Sequence, residues 1–127
     1  MIDVVAAVIE RDDLLLVARR PEGLHLAGLW EFPGGKVKRG ETQPEALERE
    51  IMEELGVVVD VGDAVFDTVH EYADRTVRIF FYQCQIFGTP RPLLGQDLQW
   101  VARPALSSLS FPPADEELIR RLVASPG

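Results

Sequence analysis

Residues 34–57 read GGKVKRGETQPEALEREIMEELGV, and how this stretch is read decides the fold. Its second half carries the marks of a helix from Pro44 to Leu55. Thr42 or Gln43 can cap it, Pro44 suits the first turn and Gly56 ends it. Leu47, Ile51 and Leu55 recur every four residues and make a stripe for burial. At about 100° per residue, Glu50, Glu53 and Glu54 fall on a neighbouring face around the small Ala46, while Glu45 and Glu48 point to solvent. One helix therefore carries an apolar stripe and a carboxylate stripe.

Carboxylates spaced roughly 6 Å apart on a helix face repel by up to a few kcal/mol per pair at an effective dielectric of about 20. No lysine sits on the helix, and Arg49, its one arginine, lies at the edge of the cluster. An ordinary solvated acidic face and a cation site are the two ways to accommodate this. A hard divalent cation such as Mg²⁺ suits the second, because it takes oxygen ligands and keeps waters for phosphate oxygens to replace. The GGKVKRGE loop can add backbone carbonyls and Glu41.

Outward from the helix, the chain reads as alternating strands and turns. Residues 3–9 and 14–18 are apolar strands joined by a turn at Arg11-Asp12-Asp13. Residues 21–29 form a Gly- and Pro-punctuated loop, and Pro33-Gly34-Gly35 a sharp turn. Strands follow at 57–61, 64–71, 76–87 and 97–101, and PADEELIRRLVA closes the chain as a helix with Pro113 near its start. With 127 residues and 46% hydrophobic content the expectation is one domain over 1–127 with a real core. No apolar run reaches the roughly 20 residues of a membrane helix. The start, MIDVVAAVIERDD, lacks the basic n-region of a signal peptide, so a cytoplasmic setting is expected. Cys84 cannot form an internal disulfide and reads as a small buried hydrophobe. The net charge of −8 argues against nucleic-acid polymers but leaves room for a small anion held by local arginines or metal.

The pattern G-x5-E-x7-R-E-I-x-E-E-x-G-V, carried by Gly35, Glu41, Arg49, Glu50, Ile51, Glu53, Glu54, Gly56 and Val57, resembles the Nudix box at every fixed position. RRPEGLHLAGLWEFPGG, the aromatic strand after Ala73-Asp74-Arg75, the Trp100 strand and FPPAD extend the likeness to the MutT-type branch over nearly the whole chain. The resemblance implies an α/β/α sandwich with a mixed, partly antiparallel β-sheet. It implies Mg²⁺-dependent hydrolysis of a nucleoside triphosphate to a monophosphate and pyrophosphate, with Mn²⁺ as a substitute metal. By the same likeness Glu50, Glu53 and Glu54 are the metal carboxylates, joined by a carbonyl of Gly34 or Gly35. Glu41 supports them from behind, and Arg49 orients a neighbouring glutamate.

Relatives often place a further glutamate before the Trp strand. Here Leu94 stands there, and Asp97 comes three residues later, which shifts the general base towards Glu50. Arg20 resembles an arginine near the phosphates, although a solvent-facing turn residue would look the same. Phe32, Tyr72 and Arg75 resemble base-pocket positions, with core packing the open alternative for both aromatics. His25, His70, Trp30 and Trp100 read as structural. Asp115 departs from the asparagine that reads oxidised guanine in MutT. An ionised carboxylate only accepts hydrogen bonds, whereas a buried and protonated one regains a donor. Asp115 thus leaves 8-oxo-dGTP and a CTP, dCTP or 5-methyl-dCTP substrate both open, and a plain helix cap is a third role for it. A different class of function, a catalytically silent nucleotide sensor, would not need the intact box. A small-molecule partner, no membrane and a monomer or homodimer complete the expectation.

Overall fold

The computed structural model describes residues 1–23 and 27–125. His25, expected to be structural, lies outside the described residues. The strands are β1 (Ile2–Arg11), β2 (Leu14–Arg19), β3 (Trp30–Glu31), β4 (Gly34–Lys36), β5 (Val58–Glu71), β6 (Thr76–Phe87) and β7 (Asp97–Ala102). The helices are α1 (Gln43–Leu55) and α2 (Glu116–Ala124), with 3₁₀ turns at Arg103–Ser108 and Pro113–Asp115.

The sheet runs in the order β3-β2-β1-β6-β5, with β4 also on β1 and β7 on β2. β1 and β6 are parallel from Ile2↔Val77 to Ile9↔Cys84, and the other pairings are antiparallel. The sheet is thus mixed and mainly antiparallel, with a helix layer on each face. β1 shows why its sequence is apolar without a break. Val5, Ala7 and Ile9 point into one core with Leu47, Ile51 and Leu55 of α1. Ala6 and Val8 alternate into a second core with Phe81, Leu118 and Leu122 beneath α2. Leu47, Ile51 and Leu55 are fully buried, so truncating Ile51 to Ala would cost about 2–5 kcal/mol.

α1 begins in a capping box. Thr42 Oγ1 accepts the Glu45 N–H at 3.2 Å, and Glu45 Oε1 accepts the Thr42 N–H at 2.8 Å. Glu45, expected to stand free in solvent, is exposed but closes this box. Gly56 ends the helix at φ 67°, the left-handed conformation a side chain disfavours.

Three local readings change. The strands expected at 57–61 and 64–71 are one strand, β5, with register shifts between Val61 and Ala64 and between Ala64 and Phe66. Extra residues at a bulge look like a break in sequence because they interrupt the alternation without ending the pairing. The turn expected at Pro33-Gly34-Gly35 instead puts both glycines at the start of β4. The closing helix starts as a 3₁₀ turn and becomes α-helical at Glu116. Among the described residues, no helix is long and apolar enough to cross a membrane.

Candidate functional site

α1 lies against β4, and this contact assembles the acidic end of the site. The Gly34 N–H donates to Glu54 Oε2 at 3.0 Å. The Glu50 carboxylate rests over Gly35, where a Cβ atom would fall 2.5 Å from Glu50 Cδ. Glu54 is partly buried and its pKa is pushed up to about 8, first by burial and then by Glu50 and Glu31. Of the stripe's own carboxylates, Glu50 adds its repulsion to the larger effect of burial at Glu54. Glu53 differs, with its side chain 54% exposed.

Arg49, placed by sequence at the edge of the carboxylates, is in fact their hub. Its Nε and Nη2 donate to the two oxygens of Glu41 at 2.7 and 3.0 Å. Its Nη1 reaches Glu50 Oε1 at 2.8 Å and Glu53 Oε2 at 3.4 Å, and Nη2 also donates to the Lys36 carbonyl at 3.0 Å. The Arg49 hydrogen bonds, followed by the Lys38 N–H, hold the Glu41 carboxyl down at about 2. Glu41 thus spends both carboxylate oxygens on Arg49.

Among the described residues, no three His, Cys, Asp or Glu side chains are gathered around one point as a ready cation cage. The donor chemistry nevertheless fits a hard cation. Glu50 and Glu54 bring carboxylate oxygens to the Gly34–Gly35 backbone, where a cation would offset the burial and repulsion that push the Glu54 carboxyl up. Glu53 now leans on Arg49 and would have to turn away from it to join such a set.

Next to the carboxylates opens a cavity of about 210 Å³, lined in part by Arg20, Glu31, Phe32, Tyr72, Arg75 and Asp115. Gly34 and Gly35 line it as well, so the acidic end and the cavity are continuous. Arg20 Nε lies 3.3 Å from Glu31 Oε2. Phe32 is buried, stacks on Phe111 at 5.5 Å and meets Phe81 edge-on at 6.0 Å, so it serves the core and the cavity wall at once. Tyr72 is half-buried and packs on His70 at 4.7 Å. Arg75 Nε is buried without a hydrogen-bond partner among the described residues.

Asp115 is 6% exposed and makes no side-chain capping bond to α2, which removes its role as a plain cap. Burial, helped by Glu31, pushes its carboxyl up to about 7. Glu31 is itself raised by burial, against the pull of Arg20. Sequence reading missed Glu31. Its signal was a lone carboxylate between Trp30 and Phe32, on a strand too short to show a period.

The remaining expectations fall outside this cavity. Asp97 is bonded to Arg19 on the neighbouring strand, and Leu94 is exposed. Neither places a free carboxylate at the α1 cluster. Trp30 is buried under Arg19, and Trp100 packs half-buried under Arg11. Cys84 is buried, and burial pushes its thiol up to about 12.

A family model for the NUDIX domain matches residues 4–121. A CTP pyrophosphohydrolase of Escherichia coli K12 is 40% identical over 125 residues, spanning 98% of this chain and 93% of that protein. An 8-oxo-dGTP diphosphatase of Haemophilus influenzae Rd is 39% identical over 122 residues, spanning 94% and 90%. The solution structure of the E. coli ORF135 protein superimposes with a TM-score of 0.87 at 39% identity, covering 98% of this chain and 89% of that one.

Proposed function

The chain belongs to the Nudix hydrolases, which act on phosphoric anhydride bonds, and on that premise we propose that it converts 8-oxo-dGTP to 8-oxo-dGMP and pyrophosphate. The nucleoside triphosphate pyrophosphohydrolase activity follows from the family. The choice of base is our own reading, and it rests on Asp115. The Hoogsteen edge of 8-oxoguanine presents a carbonyl acceptor beside an N–H donor. A carboxyl raised to about 7 carries its proton in a large share of molecules at neutral pH and so answers both groups. Phe32 and Tyr72 offer apolar surface to the base, and the Arg75 guanidinium supplies a donor.

The triphosphate extends from the cavity towards α1, with Arg20 beside its path. Glu50, Glu53 and Glu54, with a carbonyl of Gly34 or Gly35, would hold Mg²⁺, or Mn²⁺ in its place. Such a cation withdraws charge from the phosphates and acidifies water. Glu50, oriented by Arg49, takes the proton of the water that attacks an internal phosphorus. The anhydride bond between the α and β phosphates breaks, and the nucleoside monophosphate and pyrophosphate are released. Glu41 keeps Arg49 in place, and Gly56 stops the helix where its carboxylate stripe ends. We extend this reading to the whole of residues 1–127 as one hydrolase domain, acting in the nucleotide pool rather than on nucleic-acid polymers.

A second reading has its own support: hydrolysis of CTP or a deoxycytidine triphosphate. The ionised form of Asp115 accepts from the exocyclic amine of cytosine, and one relative at 40% identity is a CTP pyrophosphohydrolase. Pyrophosphate release from 8-oxo-dGTP, dGTP, CTP, dCTP and 5-methyl-dCTP, compared by kcat/KM, separates the two. A higher value for CTP than for 8-oxo-dGTP would overturn the first.

A further inference from the structure

Two polar side chains are almost wholly buried among the described residues, Asp115 and Gln96. Asp115 faces the cavity, whereas Gln96 lies at the end of residues 88–96, which connect β6 to β7. Its Oε1 accepts the Leu94 N–H at 2.9 Å, and its Nε2 donates to the Glu54 carbonyl at 3.2 Å. The same carbonyl accepts the Leu93 N–H at 3.1 Å, and the Leu55 carbonyl accepts the Arg91 N–H at 2.9 Å.

These contacts fall where a helix is weakest. The last carbonyls of an α-helix have no partner within it, and its last turn frays. Glu54 is the penultimate residue of α1, and no basic side chain stands in that last turn to serve the carbonyls. Fraying there would carry Glu54 away from Glu50, one turn earlier. The connection 88–96 supplies the missing donors from outside the helix.

We infer that Gln96 is a positioning residue for Glu54, fastening its main chain so that its carboxylate stays beside Glu50. The inference rests on the proposed reading of Glu54 as a metal ligand. Glu54 is gripped at both ends: Gly34 holds the carboxylate, and Gln96 with Leu93 holds the carbonyl. Leu94, which stands where an acid was expected, contributes its N–H to this clasp and not a side chain.

The test is Mn²⁺ binding to the metal-free full chain, followed by electron paramagnetic resonance of the free ion, for wild type, Glu54→Gln and Gln96→Met. Far-UV circular dichroism establishes that each variant is folded. Gln96→Met keeps the volume and removes both hydrogen bonds, and it should weaken Mn²⁺ about tenfold while leaving the nucleotide KM at saturating metal within about twofold. A folded Gln96→Met that binds Mn²⁺ as wild type does would overturn the inference. If Glu54→Gln also binds Mn²⁺ normally, the metal reading itself fails, so the two failures are distinguishable. Should Gln96→Met not fold, Leu93→Pro removes the other donor to the same carbonyl from an exposed loop position. It should weaken Mn²⁺ in the same direction, and unchanged affinity there overturns the inference equally.

Discussion

The backbone N–H of Gly34 donates to the Glu54 carboxylate at 3.0 Å, tying β4 to the last turn of α1. The two adjacent glycines at this junction serve different ends. A Cβ on Gly34 would lie 2.0 Å from the Val5 carbonyl oxygen, inside the sheet backbone. A Cβ on Gly35 would meet the far end of the Glu50 side chain, which can move. Gly34→Ala should therefore lower the melting temperature sharply or prevent folding. Gly35→Ala should fold and lose kcat by about 10- to 100-fold through displacement of Glu50. Thermal melts beside kinetics check the contrast, and equal loss of stability in both variants would contradict it.

Arg49 gathers Glu41, Glu50 and Glu53 through a planar fork that lysine cannot copy. Arg49→Lys keeps the charge but should still cut kcat by about 10- to 100-fold. There is also an acid-stability consequence. The Glu41 carboxyl is lowered from 4.5 to about 2, so its contribution is full above about 4.5 and is lost as the pH falls through 2. Arg49→Gln should move the acid-unfolding midpoint to higher pH, as followed by circular dichroism. An unmoved midpoint would show that the pair adds nothing to acid resistance.

Much of this site was legible because helical periodicity is a local signal. Leu47, Ile51 and Leu55 announced their buried stripe, and Glu50, Glu53 and Glu54 their acidic one. Chain spacing alone does not report which groups meet across elements. Arg49 looked peripheral because its partner Glu41 lies eight residues away, outside the helix. Gln96 carried no signal in the sequence because its partner is a main-chain carbonyl 42 residues away. Glu31 adds to the upward push on Asp115 in the cavity although nothing near either one in sequence hints at it. The bulged β5 misled for the opposite reason: a local break in alternation concealed continuous long-range pairing.

On the proposed reading, Asp115 ties substrate choice to pH. Its carboxyl is raised from 3.8 to about 7, so the native state holds a proton that the unfolded chain has released. That contribution is full below about 3.8 and is lost as the pH rises through 7. In chelator, stability should decline from pH 4 to 7, and Asp115→Asn should flatten the decline. A residual slope towards pH 8 should persist from Glu54. With metal, the ratio of 8-oxo-dGTP to CTP turnover should fall as the pH rises through 7, and Asp115→Asn should favour 8-oxo-dGTP without that fall. A pH-independent ratio in wild type would remove Asp115 from base reading.

The β1–β2 turn carries Asp12 at φ 53° and Asp13 at φ 64°, so two non-glycine residues in succession occupy the left-handed region. Two-residue hairpins with this pattern favour Asn-Gly. Replacing Asp12-Asp13 by Asn-Gly should raise stability by about 0.5–1 kcal/mol, because the strain in the folded turn is relieved. The turn is exposed and far in the chain from α1, so kcat should not change. Chemical denaturation measures the gain, and a loss of stability would contradict the account of the turn.

The central claim is that the α1 carboxylates drive hydrolysis of a nucleoside triphosphate between internal phosphates. The most direct measurement is product analysis of the purified chain with Mg²⁺ and 8-oxo-dGTP, run beside Glu54→Gln. The account predicts 8-oxo-dGMP and pyrophosphate in equal amounts, with turnover at least about 100-fold lower in the folded variant. Stoichiometric nucleotide binding without pyrophosphate release across 8-oxo-dGTP and the cytidine triphosphates, or unchanged turnover in Glu54→Gln, would contradict it.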